Sequence, residues 1–449
     1  MIMNNLDESF VKNMKILLAE DYGLYEAAMH EKPIRGIRCN PLKISKQKFL
    51  NIFPHKLEQI SYEENGFVLE TDEKLGNGLL HMSGCFYLQE PSSMMPVACL
   101  NVDSDARVLD LCAAPGGKSS QVAVKIPDGL LVSNEIVTNR AKVLFSNIER
   151  MGIRNSVVLN DTPDNIAGKL EGFFDAVIVD APCGGEGMFR KDPSTIEEWN
   201  IDRLESNHQR QIEILKSADK CLKQGGKLVY STCTFSEIEN EDVILEFLEN
   251  HDYQILEVPD SVKKCTRPGT KIKEARRFYP FSGKGEGQFV CVLQKKSETD
   301  EWTRTKKPSV NFLGRKDKEI VNVFLKENFD IPFDYELIVL HESVMLVRSS
   351  IIDVCSSGLN IINAGVRVGS IEKGVLRPHH QLFTALGDYS KHKHEMNDED
   401  AKKYVHGEEL SVEHGANGYY TMFVCGASIG GAKCSNGKLK NLYPKGLRI

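Results

Sequence analysis

The middle of the chain, residues 81–296, alternates short apolar runs with segments of helical periodicity. Repeated strand–helix units with short connections are typical of a mostly parallel, doubly wound α/β sheet. The predicted strands are 106–112, 129–135, 156–161, 173–182, 225–232, 253–258 and 287–294. The predicted helices are 116–125, 138–151 and 195–223, with a further helix beginning at Ser236. Capping-box sequences, Ser194 with Glu197 and Ser236 with Glu239, indicate where the last two helices begin.

The sequence patterns of the two flanking regions predict smaller structural domains. Residues 1–80 mix helical pattern with loops, and Phe10, Met14, Leu17 and Leu18 form one face of a first helix. The polar, charged segment 297–309 is typical of a linker. Residues 310–449 have shorter periodic segments and many glycines, which favours one or two small α+β or β-barrel modules with a break near 371–380. We therefore expect domains at 1–80, 81–296 and 310–449.

Composition narrows the function classes. The 449 residues are 41% hydrophobic and 27% charged, an ordinary globular profile. No run of roughly 18 apolar residues predicts a membrane span, and the N-terminus lacks a signal-peptide pattern, so a cytoplasmic location is expected. The 12 cysteines are scattered without a CxxC pair, which predicts neither a disulfide framework nor a metal site. A net charge of −7 gives no global attraction to nucleic acid.

Four segments follow predicted strands and are expected to meet at one crevice: 112–118, 134–135, 180–185 and 231–234. In the first, Asp110 to Ser120, a strand leads through a Pro-Gly-Gly turn into a helix, an arrangement that directs backbone N–H groups at a ligand. A dinucleotide fingerprint is absent. A phosphate-binding P-loop is partly matched, but Cys112 occupies its first glycine position. A site for the methionine part of S-adenosylmethionine, or a turn without ligand, remains open.

Two acids end neighbouring strands in this crevice. Glu135 is placed to accept both hydroxyls of a ribose, and Asp161 is placed to meet an adenine edge. Each is also compatible with a solvated strand end.

Two cysteines and one acid suggest covalent chemistry. Asp180 and Cys183 follow a buried strand, and Cys183 lies among glycines and charges rather than in an apolar run. Cys233 lies between a strand and the next helix, where a helix N-terminus favours a thiolate. A redox pair and a cysteine hydrolase are the alternatives. The hydrolase is disfavoured because the nearest candidate base, His208, lies within a helix.

Basic residues form local clusters that suit phosphate contacts. The segment 263–277 carries seven basic residues and one acid, and the last twenty residues carry five basic residues and no acid. Arg190 and Lys191 are further candidates for contact with a phosphate backbone.

Together, CAAPGGK, DAPCGGEG, YSTCT with its acidic helix, and FYLQEPSSMMP resemble the Nop/Sun family of RNA cytosine-5 methyltransferases. The N-terminal RGIRCNPLK and the closing LKNLYPKGLR resemble its bacterial RsmF branch, which modifies small-subunit (16S) ribosomal RNA. The resemblance implies a Rossmann-like class I methyltransferase core. It also implies a small N-terminal RNA-binding domain and a C-terminal α+β region that ends in a PUA-like RNA-binding module.

The same resemblance implies residue roles. The S-adenosylmethionine site would comprise Cys112, Ala113, Ala114, Pro115, Gly116, Gly117, Lys118, Glu135, Asp161 and Asp180. Cys233 would be the nucleophile, Cys183 would assist product release and Asp180 would contact the base. The expected partners are ribosomal RNA or the small subunit, with no metal and no membrane, and the expected state is a monomer. A catalytically silent RNA-binding or assembly factor and a P-loop-like NTPase remain the alternative functions.

Overall fold

The computed structural model describes residues 3, 6–299, 302–303, 309–412 and 415–449. The predicted linker 297–309 therefore lies partly outside the described residues. Within the described part of the chain, no helix has the length and apolar character needed to cross a bilayer.

The N-terminal region packs short helices around a four-stranded antiparallel sheet of order β2-β3-β1-β4. The first helix buries Phe10, Met14 and Leu18 as its periodicity predicts. The last strand of this sheet lies beyond residue 80, the predicted end of the unit. The elements are α1 Glu8–Leu18, α2 Tyr22–Met29, β1 Gly36–Cys39, α3 Lys46–Ile52, β2 Leu57–Gln59, β3 Gly66–Leu69, α4 Leu79–Met82 and β4 Phe86–Leu88.

The central region is the predicted doubly wound sheet. Its order is β11-β12-β13-β9-β8-β5-β6-β7-β17, with β10 also pairing β13, and β9, β8, β5, β6 and β7 run parallel. Strand order reverses between β5 and β8, which opens a crevice at their carboxyl ends. The elements are α5 Met95–Ala98, β5 Arg107–Asp110, α6 Gly117–Lys125, β6 Leu130–Asn134, α7 Thr138–Arg150, β7 Ser156–Leu159, α8 Pro163–Lys169, β8 Phe174–Asp180, α9 Ser194–Glu197, α10 Ile201–Cys221, β9 Leu222–Thr232, α11 Glu241–Asn250, β10 Tyr253–Leu256, α12 Asp260–Lys263, β11 Arg267–Pro268, β12 Arg276–Phe278 and β13 Gln288–Lys295.

Both predicted helix starts are wrong. Ser194–Glu197 is a separate short helix, and the long helix α10 begins at Ile201 with the Asn200 side chain as its cap. The helix expected from Ser236 begins only at Glu241. Its proposed cap partner, Glu239, bonds instead to the backbone of the loop after β8, so the chain from 237 to 240 stays in turns.

The C-terminal region forms two five-stranded sheets, β14-β15-β16-β18-β19 and β20-β22-β23-β24-β21. The chain passes between them after Pro378, at the end of the predicted 371–380 break. One strand of this region, β17, leaves it and pairs with β7 of the central sheet. The elements are β14 Asn311–Phe312, α13 Arg315–Asn328, β15 Glu336–Leu340, β16 Ser343–Val347, α14 Ser349–Cys355, β17 Ile361–Ala364, β18 Val366–Glu372, β19 Val375–Pro378, α15 His380–Leu386, β20 Lys393–Met396, α16 Asp398–His406, β21 Leu410–Ser411, β22 Gly418–Val424, β23 Ala427–Ser435 and β24 Lys438–Asn441.

A buried lysine joins the N-terminal and C-terminal regions. The Lys43 ammonium donates hydrogen bonds of 2.7 Å to Thr384 O, Ser428 O and Ser428 Oγ. Burial lowers the pKa of Lys43 to about 8. The three oxygens accept from the three N–H donors of the ammonium. The N-terminal and C-terminal regions are therefore held together at this point.

Replacing Lys43 by alanine leaves two buried carbonyls and a hydroxyl without this donor. We expect Lys43→Ala to lower the free energy of unfolding by about 1–3 kcal/mol, the cost of unsatisfied buried polar groups. Urea denaturation of the full chain measures the change. The control is Lys12→Ala at an exposed position of α1, which should change stability little. Equal effects of the two variants would contradict the role of Lys43.

Candidate active site at the carboxyl ends of β5, β6, β8 and β9

The four strand-end segments meet as predicted. The Ala113 N–H donates to Asn134 O at 2.8 Å, and the Asn134 side chain exchanges two hydrogen bonds with the Asp161 backbone. On the other side, Lys118 Nζ lies 2.8 Å from Asp180 Oδ2, and Ser231 Oγ donates to Asp180 Oδ1 at 2.7 Å. Hydrogen bonds therefore connect the ends of β5, β6 and β7 on one side, and Asp180 connects the ends of β8 and β9 with the start of α6 on the other.

Cys183 and Cys233 form the centre of the site. Their sulfur atoms are 3.4 Å apart, and both side chains are partly exposed. The hydrogen bond with Cys233 and burial raise the pKa of the Cys183 thiol well above its ordinary value. Cys183 is therefore held as a neutral thiol beside the second sulfur.

The Cys183 loop is held by Glu239, which sequence reasoning missed as a site residue. Both carboxylate oxygens accept from Gly184 N, at 2.9 and 3.1 Å. Asn207 and Gln211 of α10 donate to the same carboxylate at 3.0 and 3.3 Å. Burial raises the pKa of Glu239 to about 7. The signal available in the sequence was the acidic run after Cys233, in which Glu239, Asn240 and Glu241 become fully buried.

Asp180 and Lys118 form an ion pair in the crevice, with side chains 33% and 11% exposed. Although burial works to lower it, the Asp180 carboxylate raises the pKa of the Lys118 ammonium. Asp180 is thereby kept as a hydrogen-bond acceptor. In a P-loop the lysine reaches toward the ligand's phosphates, whereas Lys118 bonds across the site to Asp180. The contact between Lys118 and Asp180 therefore disfavours the hypothesis of a P-loop-like NTPase.

Hydrogen-bond acceptors lie beneath the loop 112–118. Gly116 at φ +111° allows the turn into α6, a conformation that residues with a Cβ rarely adopt. Beneath it, Ser119 donates to one oxygen of Asp110, while Asp110 Oδ1 is buried and without a partner among the described residues. Burial raises the pKa of Asp110 to about 7. Burial also raises the pKa of Cys112, so that thiol packs as a neutral group.

The two strand-end acids lie after β6 and β7, and each already has partners. Glu135 is 3% exposed, accepts from Val137 N at 2.9 Å and lies 3.2 Å from Arg140 Nη1. Arg140 also donates to Ala114 O and therefore connects Glu135 with the loop 112–118. Asp161 accepts from the Thr162 and Asn360 N–H groups.

Several basic residues that were predicted to contact phosphate form ion pairs with carboxylates of the protein. Arg190 is buried and lies 2.7 Å from Glu286, and Arg277 forms a buried ion pair with Glu241. Within 263–277, Lys263, Lys271 and Arg267 pair with Glu257, Asp242 and Asp21. The prediction that Arg190 contacts a phosphate backbone is therefore wrong, because burial of a guanidinium requires a carboxylate partner, and Arg277 is buried in the same way. The surface ion pairs do not contradict the phosphate contacts predicted for the rest of the segment 263–277, which stay a prediction.

The C-terminal lysines are placed differently. Lys433, Lys438, Lys440 and Lys445 are all exposed on or after the last two strands, β23 and β24. Among the ion pairs found in the described residues, none involves these four side chains. Lys191 near the active site is exposed as well. His208 bonds to Ile238 O and Glu246, which removes it as the base of a cysteine hydrolase.

Comparisons with known proteins agree with this architecture. Residues 97–294 match the family model "16S rRNA methyltransferase RsmB/F", residues 6–91 match the "N-terminal domain of 16S rRNA methyltransferase RsmF", and residues 391–449 match the "Methyltransferase RsmF PUA domain".

Similar proteins include the ribosomal RNA small subunit methyltransferases F of Vibrio vulnificus (strain YJ016) and Vibrio cholerae serotype O1. They are 32% and 33% identical, over 98% and 99% of this chain and 97% and 98% of theirs. A solved methyltransferase homologue from Pyrococcus horikoshii is 30% identical, with a TM-score of 0.57 over 64% of this chain and 95% of its own. NSun6 from Pyrococcus horikoshii, solved with SFG, shares the fold with a TM-score of 0.59 at 21% identity, over 65% of this chain and 99% of its own.

The sulfur contact can be tested directly by oxidation. Treatment of the native chain with diamide should link Cys183 to Cys233, because their sulfurs already touch. We expect Glu239→Gln to slow this link about tenfold, since an amide cannot accept from all three donors and one hydrogen bond to a charged group is lost. Peptide mapping by mass spectrometry measures the link.

The matched control is Glu237→Gln, two residues away on the same turn, where the side chain accepts from the exposed Thr270 hydroxyl. An unchanged rate in Glu239→Gln, or no link in the unmutated chain, would contradict the described geometry.

Proposed function

The chain belongs to the RsmB/F family of 16S rRNA methyltransferases, and on that premise we propose that it methylates carbon 5 of cytosine in small-subunit (16S) ribosomal RNA through a covalent bond from Cys233 to the base. The observation that carries this proposal is the 3.4 Å contact between the Cys183 and Cys233 sulfurs beside the Asp180–Lys118 pair. Paired thiols next to an ion pair suit reversible addition to a pyrimidine ring.

The cluster of acceptors suits S-adenosylmethionine, whose ammonium, ribose hydroxyls and adenine amine are all donors. Beneath the loop, Asp110 Oδ1 is a buried acceptor with no partner in the part of the chain that the structure describes, and Glu135 and Asp161 stand at the two following strand ends. We assign the loop 112–118, Glu135, Asp161 and Asp180 to this site, with Asp110 in addition. When bound, S-adenosylmethionine supplies the methyl group.

Cys233 performs the covalent step. Carbon 5 of cytosine is a poor nucleophile until a thiolate adds to carbon 6. The Cys233 sulfur forms a bond to carbon 6, the carbon 5–carbon 6 double bond opens, and carbon 5 gains the electron density with which it takes up the methyl group. A base then removes the proton from carbon 5, the double bond re-forms and the Cys233 thiolate departs.

Cys183 assists that departure. Its thiol is held neutral at hydrogen-bond distance from the Cys233 sulfur. An S–H donor in this position stabilises the thiolate as the carbon–sulfur bond breaks. A neutral thiol is a poor nucleophile, because the thiolate is the attacking species.

Asp180 orients the base. Its carboxylate pairs with the Lys118 ammonium, and a carboxylate only accepts hydrogen bonds. It therefore suits the exocyclic amine of cytosine rather than ring nitrogen 3. The target base must leave its stack to reach the crevice, so a flipped or single-stranded cytosine is expected.

The RNA-binding parts are assigned to the two ends of the chain. We propose that 81–296 is catalytic and that 1–80 and 310–449 hold RNA. The four exposed lysines of the C-terminal module support the second assignment, since they lack carboxylate partners among the described side chains. Contacts of this kind fix RNA through its backbone and shape.

Cysteine variants test the chemistry. Wild type, Cys183→Ala and Cys233→Ala are each incubated with labelled S-adenosylmethionine and small subunits that lack the modification. We expect methylated RNA from wild type and a trapped protein–RNA adduct from Cys183→Ala on a denaturing gel. From Cys233→Ala we expect neither, with activity reduced at least about a thousandfold, as for other lost nucleophiles.

The reverse pattern would exchange the two cysteine roles. If wild type binds RNA but transfers no label to subunits or naked RNA, the silent RNA-binding function replaces the methyltransferase.

Removing two tail lysines tests the RNA surface. Lys438→Ala with Lys440→Ala should weaken RNA binding at all salt concentrations. It should also reduce the slope of log affinity against log salt by about 2, because each phosphate contact contributes roughly one unit. Fluorescence anisotropy with a ribosomal RNA fragment measures both. Lys216→Ala, on the exposed face of α10, is the control. An unchanged slope in the double variant would contradict the assignment.

A further inference from the structure

The C-terminal region contributes a strand to the sheet that holds the proposed cofactor site. β17 pairs antiparallel with β7, with Ile361 opposite Leu159 and Ala364 opposite Val157. β7 is the strand whose end carries Asp161. The local sequence of the central region does not predict this added strand, because the strand comes from about two hundred residues further along the chain.

At the end of this pairing, Asn360 contacts both residues that follow β7. The Asn360 N–H donates to Asp161 Oδ2 at 3.0 Å. Its side-chain amide donates to Asn160 O at 3.0 Å, and the Asn160 N–H donates back to Asn360 O at 3.0 Å. Asn360 therefore holds the turn that follows β7 by hydrogen bonds from the outer edge of the sheet.

These contacts fix the Asp161 carboxylate. Thr162 N and Asn165 Nδ2 donate to Oδ1, each at 2.8 Å, while Asn360 N is the donor to Oδ2. Although burial works to raise it, the Asn360 and Asn165 donors hold the pKa of Asp161 below its ordinary value. An ionised carboxylate has about four acceptor positions, so Oδ2 keeps one for a ligand's N–H.

We propose that Asn360 is a positioning residue of the cofactor site, which acts through Asp161 by fixing the carboxylate that accepts from the adenine amine. The C-terminal region thereby completes the site of the central sheet in addition to holding RNA. This proposal rests on the assignment of Asp161 to the S-adenosylmethionine site.

The test uses the full chain and S-adenosylhomocysteine, a stable product, in calorimetric titrations. Asn360→Pro removes the N–H that donates to Asp161 and also the side-chain amide that donates to Asn160 O. We expect about tenfold weaker binding, typical of the lost hydrogen bond to a charged group. Asn363→Ala is the matched control, because Asn363 lies in the same strand and bonds to Gly365 O rather than to Asp161. It should leave the affinity within about twofold.

A double-variant cycle separates positioning from general destabilisation. In an Asp161→Ala background, Asn360→Pro should cause no further loss of affinity, since its effect is transmitted through that carboxylate. In methyl transfer, Asn360→Pro should raise the KM for S-adenosylmethionine and leave kcat nearly unchanged. Additive losses in the double variant, or unchanged or tighter binding in Asn360→Pro, would overturn the proposal.

A second measurement needs no variant and applies even if proline disrupts the strand. Hydrogen exchange of the peptide spanning 355–364 should slow when S-adenosylhomocysteine binds, because the ligand rigidifies the Asp161–Asn360 contact. Unchanged exchange despite binding would overturn this proposal alone. Absence of any binding to wild type would overturn the proposed function together with it.

Discussion

The site depends first on the register of two parallel neighbours, β8 and β9. Asp180 is paired with Ser231, the Ala181 N–H donates to Ser231 O at 2.8 Å, and the Ser231 hydroxyl donates to the Asp180 carboxylate. This register brings the turns after the two strands side by side, with Cys183 and Cys233 in sulfur contact. A slip by one residue would turn alternate side chains to the opposite face and separate them.

Buried carboxylates stabilise the turns after β8 and β9 in the positions that the strand register gives them. Glu239 fastens the Cys183 loop, while Glu286 with Arg190 and Glu241 with Arg277 fix the segments around it. Each carboxylate is surrounded by donors, so the loss of one partner leaves an uncompensated charge in the interior. Arginines used in this way are unavailable to RNA, which is why the RNA surface is assigned to the exposed lysines near the C-terminus.

The sequence predicted the features that depend on local pattern. The apolar runs of the five parallel strands, the turn before α6 and the convergence of four strand ends all follow from periodicity and topology. Features set by distant contacts were missed. Glu239 has the spacing of a helix cap, but its carboxylate accepts from Gly184 N, and β17 adds an antiparallel strand to a sheet whose parallel strands lie far away in sequence. Arg190 has the composition of a surface turn, and only the fold reveals Glu286 beside it.

The most direct test of the account is the location of the covalent bond. Cys183→Ala protein is trapped on methylated ribosomal RNA, digested with nuclease and trypsin, and sequenced by tandem mass spectrometry. A methylated cytidine mass on the peptide containing Cys233, with the sulfur of Cys233 as the attachment point, is the predicted result. A nucleotide mass on any other residue, or an RNA product methylated with no adduct at any time of quenching, would contradict the account.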